Sequence, residues 1–250
     1  MKFTKFLTKT GEKYGVIESN LVKELEGSIF GSWTFNGNTY PIEGLKYCPF
    51  VKPGKIIAIG LNYRSHAEEV NKALPDEPMM FMISPSAIIT EDDAVILPHP
   101  DHRIDHEAEL VVVIGKEGRD ISEENALDYV FGYTIGNDVS DRVLQKKDQQ
   151  YTRAKSFHTF KPIGSIVETE LNSSNLGIKL KVNGETKQHS NTDQFIHNVP
   201  KLIKFISEVM TLEPGDLIFT GTPEGVAPIK PGDCMEISIE NIGTLTNWVK

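Results

Sequence analysis

The chain has 250 residues, and 26 Lys plus Arg against 35 Asp plus Glu give a formal net charge of −9. That balance argues against a nucleic-acid-binding surface, and no zinc-finger, RNP-like or recognition-helix signature offsets it. No run approaches the roughly 20 apolar residues needed to span a bilayer, and Met1 to Gly15 lacks the apolar core of a signal peptide. The expectation is a cytoplasmic protein with neither a membrane nor a nucleic-acid partner. Cys48 and Cys234 stand far apart, in no metal-ligand spacing, and read as reduced thiols.

Residues 1 to 50 read as a small β-rich lobe that packs or supports oligomerisation. Tyr14 to Glu18 is strand-like, and Asn36-Gly37 with Asn38 predicts a tight turn between Trp33-Thr34-Phe35 and Thr39-Tyr40. Pro49, Pro53 and Gly54 then punctuate the chain. Ile56 to Gly60 follows as a buried strand. Ser65 and Glu68 fit a capping box, so a helix is predicted to start at His66 and to end before Pro75 and Pro78. His66 and Glu69 are then neighbours on one helix face. A carboxylate beside an imidazole fixes its tautomer and raises its basicity, as a general base requires. The bland alternative is an exposed His66, with Glu69 paired to Lys72.

Met79 to Ile83 reads as a core-filling apolar run. His99, His102 and His106 share a polar loop, but Pro98 and Pro100 break the helix that their spacing would need to bind zinc. Next comes Glu107-Ala108-Glu109 at the mouth of the apolar run Leu110 to Ile114, closed by Gly115. Such a run suggests a strand covered on both faces. Residues i and i+2 of a strand share a face, roughly 6.5–7 Å apart. Glu107 and Glu109 therefore aim two carboxylates the same way, and they repel unless a proton or cation lies between them.

Ser122 is predicted to cap a short helix over Glu123 to Asp128. Tyr129 to Gly136 reads as another core strand that delivers Asn137-Asp138 at its end. Asp138 is either a third oxygen ligand or a turn or cap residue. Residues 145–153 are polar and read as a surface excursion. Lys179 to Gln188 is predicted to be a hairpin turning at Asn183-Gly184. Asn198 and Pro200 open a helix whose Leu202, Ile203, Ile206, Val209 and Met210 follow the helical period. Leu217 to Phe219 leads into Thr220-Gly221-Thr222-Pro223-Glu224-Gly225-Val226, whose hydroxyl and backbone donors suit an anion. The alternating run Met235 to Glu240 is a closing strand.

Glu107, Glu109 and Asp138 would make a hard oxygen site. Mg²⁺ is favoured there, with Mn²⁺ as its usual substitute, and waters and a chelating substrate fill the other positions. Such a site tolerates a nearby cation, and Lys155 fits that role. A glycosidase reading of Glu107 and Glu109 fits poorly, because those enzymes set their carboxylates on opposite sides of the bond they break.

Several separated stretches, in order, resemble the fumarylacetoacetate hydrolase family. They are Gly60-Leu61-Asn62-Tyr63-Arg64-Ser65-His66-Ala67-Glu68-Glu69, Glu107-Ala108-Glu109-Leu110, Asn137-Asp138-Val139-Ser140, Lys155-Ser156-Phe157, Val182-Asn183-Gly184-Glu185, Thr220 to Val226 and Gly243-Thr244-Leu245. The resemblance spans nearly all of residues 53–250. It implies an α+β fold, a mixed β-strand roll forming a catalytic domain over 51–250, with the small β-rich lobe over 1–50, usually as a homodimer. It implies Mg²⁺ or Mn²⁺ on Glu107, Glu109 and Asp138, and a catalytic dyad of His66 and Glu69 on a mobile lid. Lys155 matches a lysine near the metal. Thr222 matches a residue near the substrate carboxylate, and Arg142 and Gln145 fall at substrate-facing positions.

The chain departs from the common family pattern at Asp141, Val143, His158 and Lys161. These positions leave the metal ligands intact and bear on the substrate pocket. The implied activity is that of a divalent-metal-dependent enzyme acting on a 2-oxo carboxylic acid through a metal-stabilised enolate. C–C hydrolysis of an acylpyruvate-type substrate leads. Decarboxylation or keto–enol tautomerisation of oxaloacetate, and isomerisation of a 2-hydroxy-dienedioate, share the same enolate. A reading of another class is a catalytically silent metal-binding protein of the same fold.

Overall fold

The central strand, Ala108–Ile114, is buried along its whole length. Its side chains alternate between two apolar cores. Leu110, Val112 and Ile114 enter the larger core, and Val111 and Val113 enter the smaller one. This is why the sequence shows an unbroken apolar row instead of an alternating one. The computed structural model describes residues 1–250. It is sheet-dominated with few helices, the mixed β architecture expected from the sequence.

The main sheet has ten strands. Its order is Trp33–Pro41, Leu21–Gly27, Gly11–Glu18, Lys2–Thr8, Ile166–Glu168, Val130–Asn137, Ala108–Ile114, Leu217–Phe219, Ile56–Gly60 and Met79–Ile83. The N-terminal strands therefore continue the same sheet, with Phe3 opposite Val167. A second sheet of five strands holds the hairpin Gly177–Val182 and Glu185–Asn191, then Cys234–Ile239, Gly243–Val249 and the short Ala94–Val95. The predicted hairpin turns at Asn183-Gly184, both with positive φ. Cys234–Ile239 is not the last strand, because it pairs with Gly243–Val249 after it.

The helices are α1 (Arg64–Glu69), α2 (Arg142–Asp148), α3 (Thr152–Lys155) and α4 (Val199–Val209). Helix α4 buries most of its apolar stripe: Leu202, Ile203 and Ile206 are fully buried, but Val209, expected on the same face, is exposed. Asn198 caps it by accepting the Lys201 N–H at 2.9 Å. None of these helices is long and apolar enough to cross a membrane.

Other local expectations need correction. Trp33–Pro41 is one continuous strand rather than two. Its partner register slips between Lys23 and Leu25, so Asn36-Gly37-Asn38 forms an irregularity opposite Glu24. Glu24 is nearly buried and accepts hydrogen bonds from Asn38 and the Tyr40 hydroxyl, which holds that distortion in place.

Helix α1 starts at Arg64, with Tyr63 as its cap, and Ser65 caps nothing. The Ser65 hydroxyl instead donates to Glu224. The helix also stops well before the prolines, where Asn71 turns left-handed. Glu123–Tyr129 is a 3₁₀ helix without a side-chain cap from Ser122. Residues 145–153 lie at the surface, as expected, and are largely helical, in α2 and α3. Met79–Ile83 is an edge strand whose Met82 is exposed and whose Met79 and Phe81 line a cleft, so it does more than fill the core.

Leu202→Ala is expected to cost ~2–5 kcal/mol, the usual penalty for deleting a fully buried leucine side chain. Urea unfolding should show a lower midpoint with an unchanged slope. An unchanged midpoint would mean that α4 does not hold the large core.

Candidate active site

Two strand ends converge to build the site. Ala108 pairs with Asn137, so the residues flanking that pair are brought side by side. The Glu107 N–H donates to Asn137 Oδ1 at 2.9 Å, and the Asp138 N–H donates to the Glu107 carbonyl at 2.9 Å. These bonds fix the backbone beneath two acids. Glu107, Glu109 and Asp138 are all buried, and ligand oxygens of the three lie within 4.8 Å of one another. The three carboxylates expected from the sequence are therefore one cluster.

Cations and donors surround it. The Lys155 ammonium donates to Glu107 Oε2 at 2.9 Å and Asp138 Oδ2 at 2.6 Å. Arg142 donates to the other Glu107 oxygen, to Asp105 at 2.8 Å and to Gln145 at 2.8 Å. The Gly221 N–H donates to Glu109 Oε2 at 2.8 Å. Lys161 is fully buried and stands 2.8 Å from Asp138 Oδ1. Its aligned hydrogen bonds run to the Val139 and Phe160 carbonyls, which leaves Asp138 Oδ1 buried without one.

Proton affinities follow from this layout. Burial alone would raise the Glu107 pKa, but Lys155 and Arg142 beside it prevail and hold it down at about 2. Glu109 goes the other way. Burial, and then the charges of Asp138 and Glu107, push it well above the ordinary range, with only partial relief from Lys155 and the Gly221 N–H. Burial works against the Lys155 charge, yet Asp138 and Glu107 raise its pKa overall. Burial lowers Lys161 to about 8 despite Asp138. Two carboxylates are thus matched by cations, and the third is left short of positive charge. An all-oxygen donor set with one carboxylate in deficit fits a divalent cation.

Glu107 and Glu109 open onto a cleft of about 670 Å³, and Asp138 is not among its lining residues. His66, Glu69, Glu107, Glu109, Arg142, Gln145, Lys155 and Thr222 all line it. His66 Nδ1 is 2.9 Å from Glu69 Oε2. The other Glu69 oxygen accepts the Gly225 N–H at 3.1 Å. Glu69 therefore ties α1 to the loop after Phe219 and forms no pair with Lys72. Nδ1 is engaged by the carboxylate, so Nε2 is the imidazole nitrogen left for proton transfer. Asn62 reinforces this joint. Its amide donates to the His197 and Thr220 carbonyls at 3.0 and 2.8 Å and accepts the His197 N–H at 2.9 Å.

The loop histidines make no metal cluster. His99 and His102 pack ring to ring, with centroids 4.7 Å apart, and His102 Nδ1 contacts Asp141 at 2.6 Å. His106 turns inward to Gln188. Asp105, Lys161, Gln188 and Glu224 contribute to the site's surroundings without having been singled out as site residues from sequence. Of these Lys161 gave a signal as a departure from the family pattern, and Glu224 as a member of the Thr220 to Val226 stretch.

The model of the fumarylacetoacetate (FAA) hydrolase C-terminal domain matches residues 55–250, and an Rv2993c-like N-terminal model matches residues 1–46. The chain belongs to the fumarylacetoacetate hydrolase family. It is similar to 2,4-didehydro-3-deoxy-L-rhamnonate hydrolase of a Sphingomonas strain, with 40% identity over 98% of this chain and 94% of the relative. The crystal structure of 5-carboxymethyl-2-hydroxymuconate delta-isomerase from Mycobacterium smegmatis superposes with a TM-score of 0.94 at 38% identity, covering 100% of this chain and 99% of that one. Fumarylpyruvate hydrolase from Pseudomonas aeruginosa, solved with Mn²⁺ and pyruvate, superposes with a TM-score of 0.75 at 31% identity, covering 86% and 92%. Relatives in this family are thus enzymes of hydrolase and isomerase type, and one of them holds a divalent metal.

A divalent ion entering the cluster competes with protons for Glu109, whose proton affinity is raised by burial and the neighbouring acids. Its binding is expected to release protons and to tighten as pH rises. Calorimetry with Mn²⁺ in two buffers of different ionisation enthalpy measures the release. Binding with no proton release and no pH dependence would contradict the raised proton affinity of Glu109.

Proposed function

We propose that this protein is a divalent-metal-dependent enzyme acting on a 2-oxo carboxylic acid, with hydrolysis of a C–C bond in an acylpyruvate-type substrate as its reaction. The observation that carries this reading is the His66–Glu69 pair, 2.9 Å apart, on the same cleft as Glu107 and Glu109 of the acid cluster. A metal-binding protein without turnover has no use for that dyad beside its ion. Glu107, Glu109 and Asp138 would hold Mg²⁺ or Mn²⁺. The bound ion would supply Lewis-acid charge to the 2-oxo and carboxylate oxygens and so favour an enolate.

The remaining steps belong to the chain. Thr222 and Arg142 with Gln145 orient the substrate by its oxygens, and Lys155 keeps Glu107 ionised and pairs with Asp138. His66, steadied by Glu69, takes a proton from a water molecule through Nε2. The water oxygen adds to the second carbonyl. The bond from that carbon to the pyruvate methylene then breaks, and its electron pair passes into the enolate. His66 returns its proton to the enolate carbon, giving a carboxylic acid and pyruvate. A second reading, isomerisation, draws on the likeness to the delta-isomerase. There His66 would move a proton between substrate carbons without water. Decarboxylation or tautomerisation of oxaloacetate would use the same oxygen-binding end.

The reading keeps residues 1–50 as a supporting lobe and 51–250 as the catalytic unit. It also keeps a cytoplasmic homodimer as the working form.

Purified protein stripped of metal is expected to turn over an acylpyruvate only after Mg²⁺ or Mn²⁺ is added. Oxaloacetate and a 2-hydroxy-dienedioate are the comparison substrates. His66→Ala should lower the hydrolytic kcat by about 10²-fold or more while Mn²⁺ still binds. Hydrolysis at full rate in that variant would remove His66 as the base. Metal binding without turnover of any of the three would favour the silent-binder reading.

A further inference from the structure

Gln188 lies on the strand Glu185–Asn191 and is almost completely buried, yet both ends of its amide are engaged. Oε1 accepts the Ala108 N–H at 3.0 Å and faces His106 Nδ1 at 3.1 Å. Nε2 donates to the Pro223 carbonyl at 2.9 Å and to Thr222 Oγ1 at 2.8 Å. Two of these partners allow only one role. A backbone N–H can only donate, and a proline carbonyl can only accept. The amide is therefore pinned with its oxygen toward Ala108 and its nitrogen toward Pro223.

The polarity of the other two contacts follows. His106 must carry its hydrogen on Nδ1, because Oε1 can only accept. This agrees with its Nε2, a bare acceptor buried without a partner. Thr222 Oγ1 must accept from Gln188, because an amide nitrogen can only donate. The Thr222 hydroxyl hydrogen is then unspent, and it has no acceptor within the protein. Thr222 is 5% exposed, and the space it borders is the cleft.

We infer that Gln188 is a positioning residue that makes the Thr222 hydroxyl an obligate donor into the cleft, so that this end of the site selects a carboxylate or carbonyl oxygen over a donor group. The inference deepens the proposed function and rests on its placing the carboxylate of a 2-oxo acid near Thr222. Without Gln188, nothing would fix the hydrogen-bond role of the Thr222 hydroxyl, and the cleft would lose its fixed donor. Gln188 also meets the backbone of Ala108, between Glu107 and Glu109. The same amide thus ties the acid-bearing strand to the loop of Thr222.

The test measures oxalate binding to the Mn²⁺-loaded protein by calorimetry, in wild type, Thr222→Val, Gln188→Met and the double variant. Oxalate presents the paired oxygens of a 2-oxo acid. Thr222→Val should weaken oxalate about tenfold, the worth of one hydrogen bond to a charged group. Gln188→Met should weaken it about fivefold, with Mn²⁺ affinity unchanged, and the double variant should be no weaker than Thr222→Val alone. Thr222→Ser should restore oxalate binding and remain sensitive to Gln188→Met.

Independent losses that multiply in the double variant would overturn the inference. So would a Gln188→Met variant that loses Mn²⁺ and oxalate in step, which is the mark of a purely structural role. A wild-type protein that binds Mn²⁺ but no oxalate would overturn the 2-oxo acid reading itself, and this inference with it.

Discussion

Three buried carboxylates within 4.8 Å of one another repel, and the structure around them is organised by that repulsion. Lys155 bridges Glu107 and Asp138, Arg142 reaches Glu107, and the Gly221 N–H meets Glu109. The compensation is uneven. Glu107 is held ionised while Glu109 is driven toward its neutral form. A burial cost of this size persists in a fold only where the charges are paired or coordinate an ion. Most of the positive charge comes from α2 and α3, so both helices are held against the strand ends by the acids they neutralise. Arg142 shows this twice over, since it also holds Asp105 and Gln145.

The loop after Phe219 has a different logic. Residues 220–226 form no strand or helix, and side chains from distant segments fix their course. Asn62 holds the Thr220 carbonyl, Gln188 holds the Pro223 carbonyl and the Thr222 hydroxyl, and Ser65 and Glu69 hold Glu224 and the Gly225 N–H. Gly225 cannot be replaced easily, because its φ is +88° and a Cβ there would lie 2.1 Å from the Lys187 carbonyl. This loop joins the dyad on α1 to the acids through a single stretch of backbone. Proton transfer and substrate orientation therefore depend on one piece of positioned chain.

Much of this was legible in the sequence where the signal is local or periodic. The buried central strand shows as an unbroken apolar row, α4 as a helical stripe, and the Asn183-Gly184 hairpin as its turn dipeptide. The acids at the strand mouth followed from the two-residue period, and Asp138 from its place at the end of the next strand. Local signals failed where a remote partner competes. Ser65 reads as a cap, but Glu224, 159 residues away, takes its hydroxyl. Asn36-Gly37 has the chemistry of a turn, but Glu24 holds it as a distortion within one strand. Gln188 carried no sequence signal because its meaning lies in partners brought in by the fold: Ala108, His106 and Thr222. Pattern cannot reveal such long-range hydrogen bonding.

The central claim is that Glu107, Glu109 and Asp138 together hold one divalent ion at the substrate-binding end of the cleft. Electron paramagnetic resonance of bound Mn²⁺ tests it most directly, comparing wild type with Glu109→Gln and adding ¹⁷O-enriched pyruvate. The account predicts a single tight site per chain that is lost in the variant, with Mn²⁺ lines broadened by the labelled pyruvate in wild type. Tight Mn²⁺ binding that survives Glu109→Gln, with lines untouched by pyruvate, would contradict it.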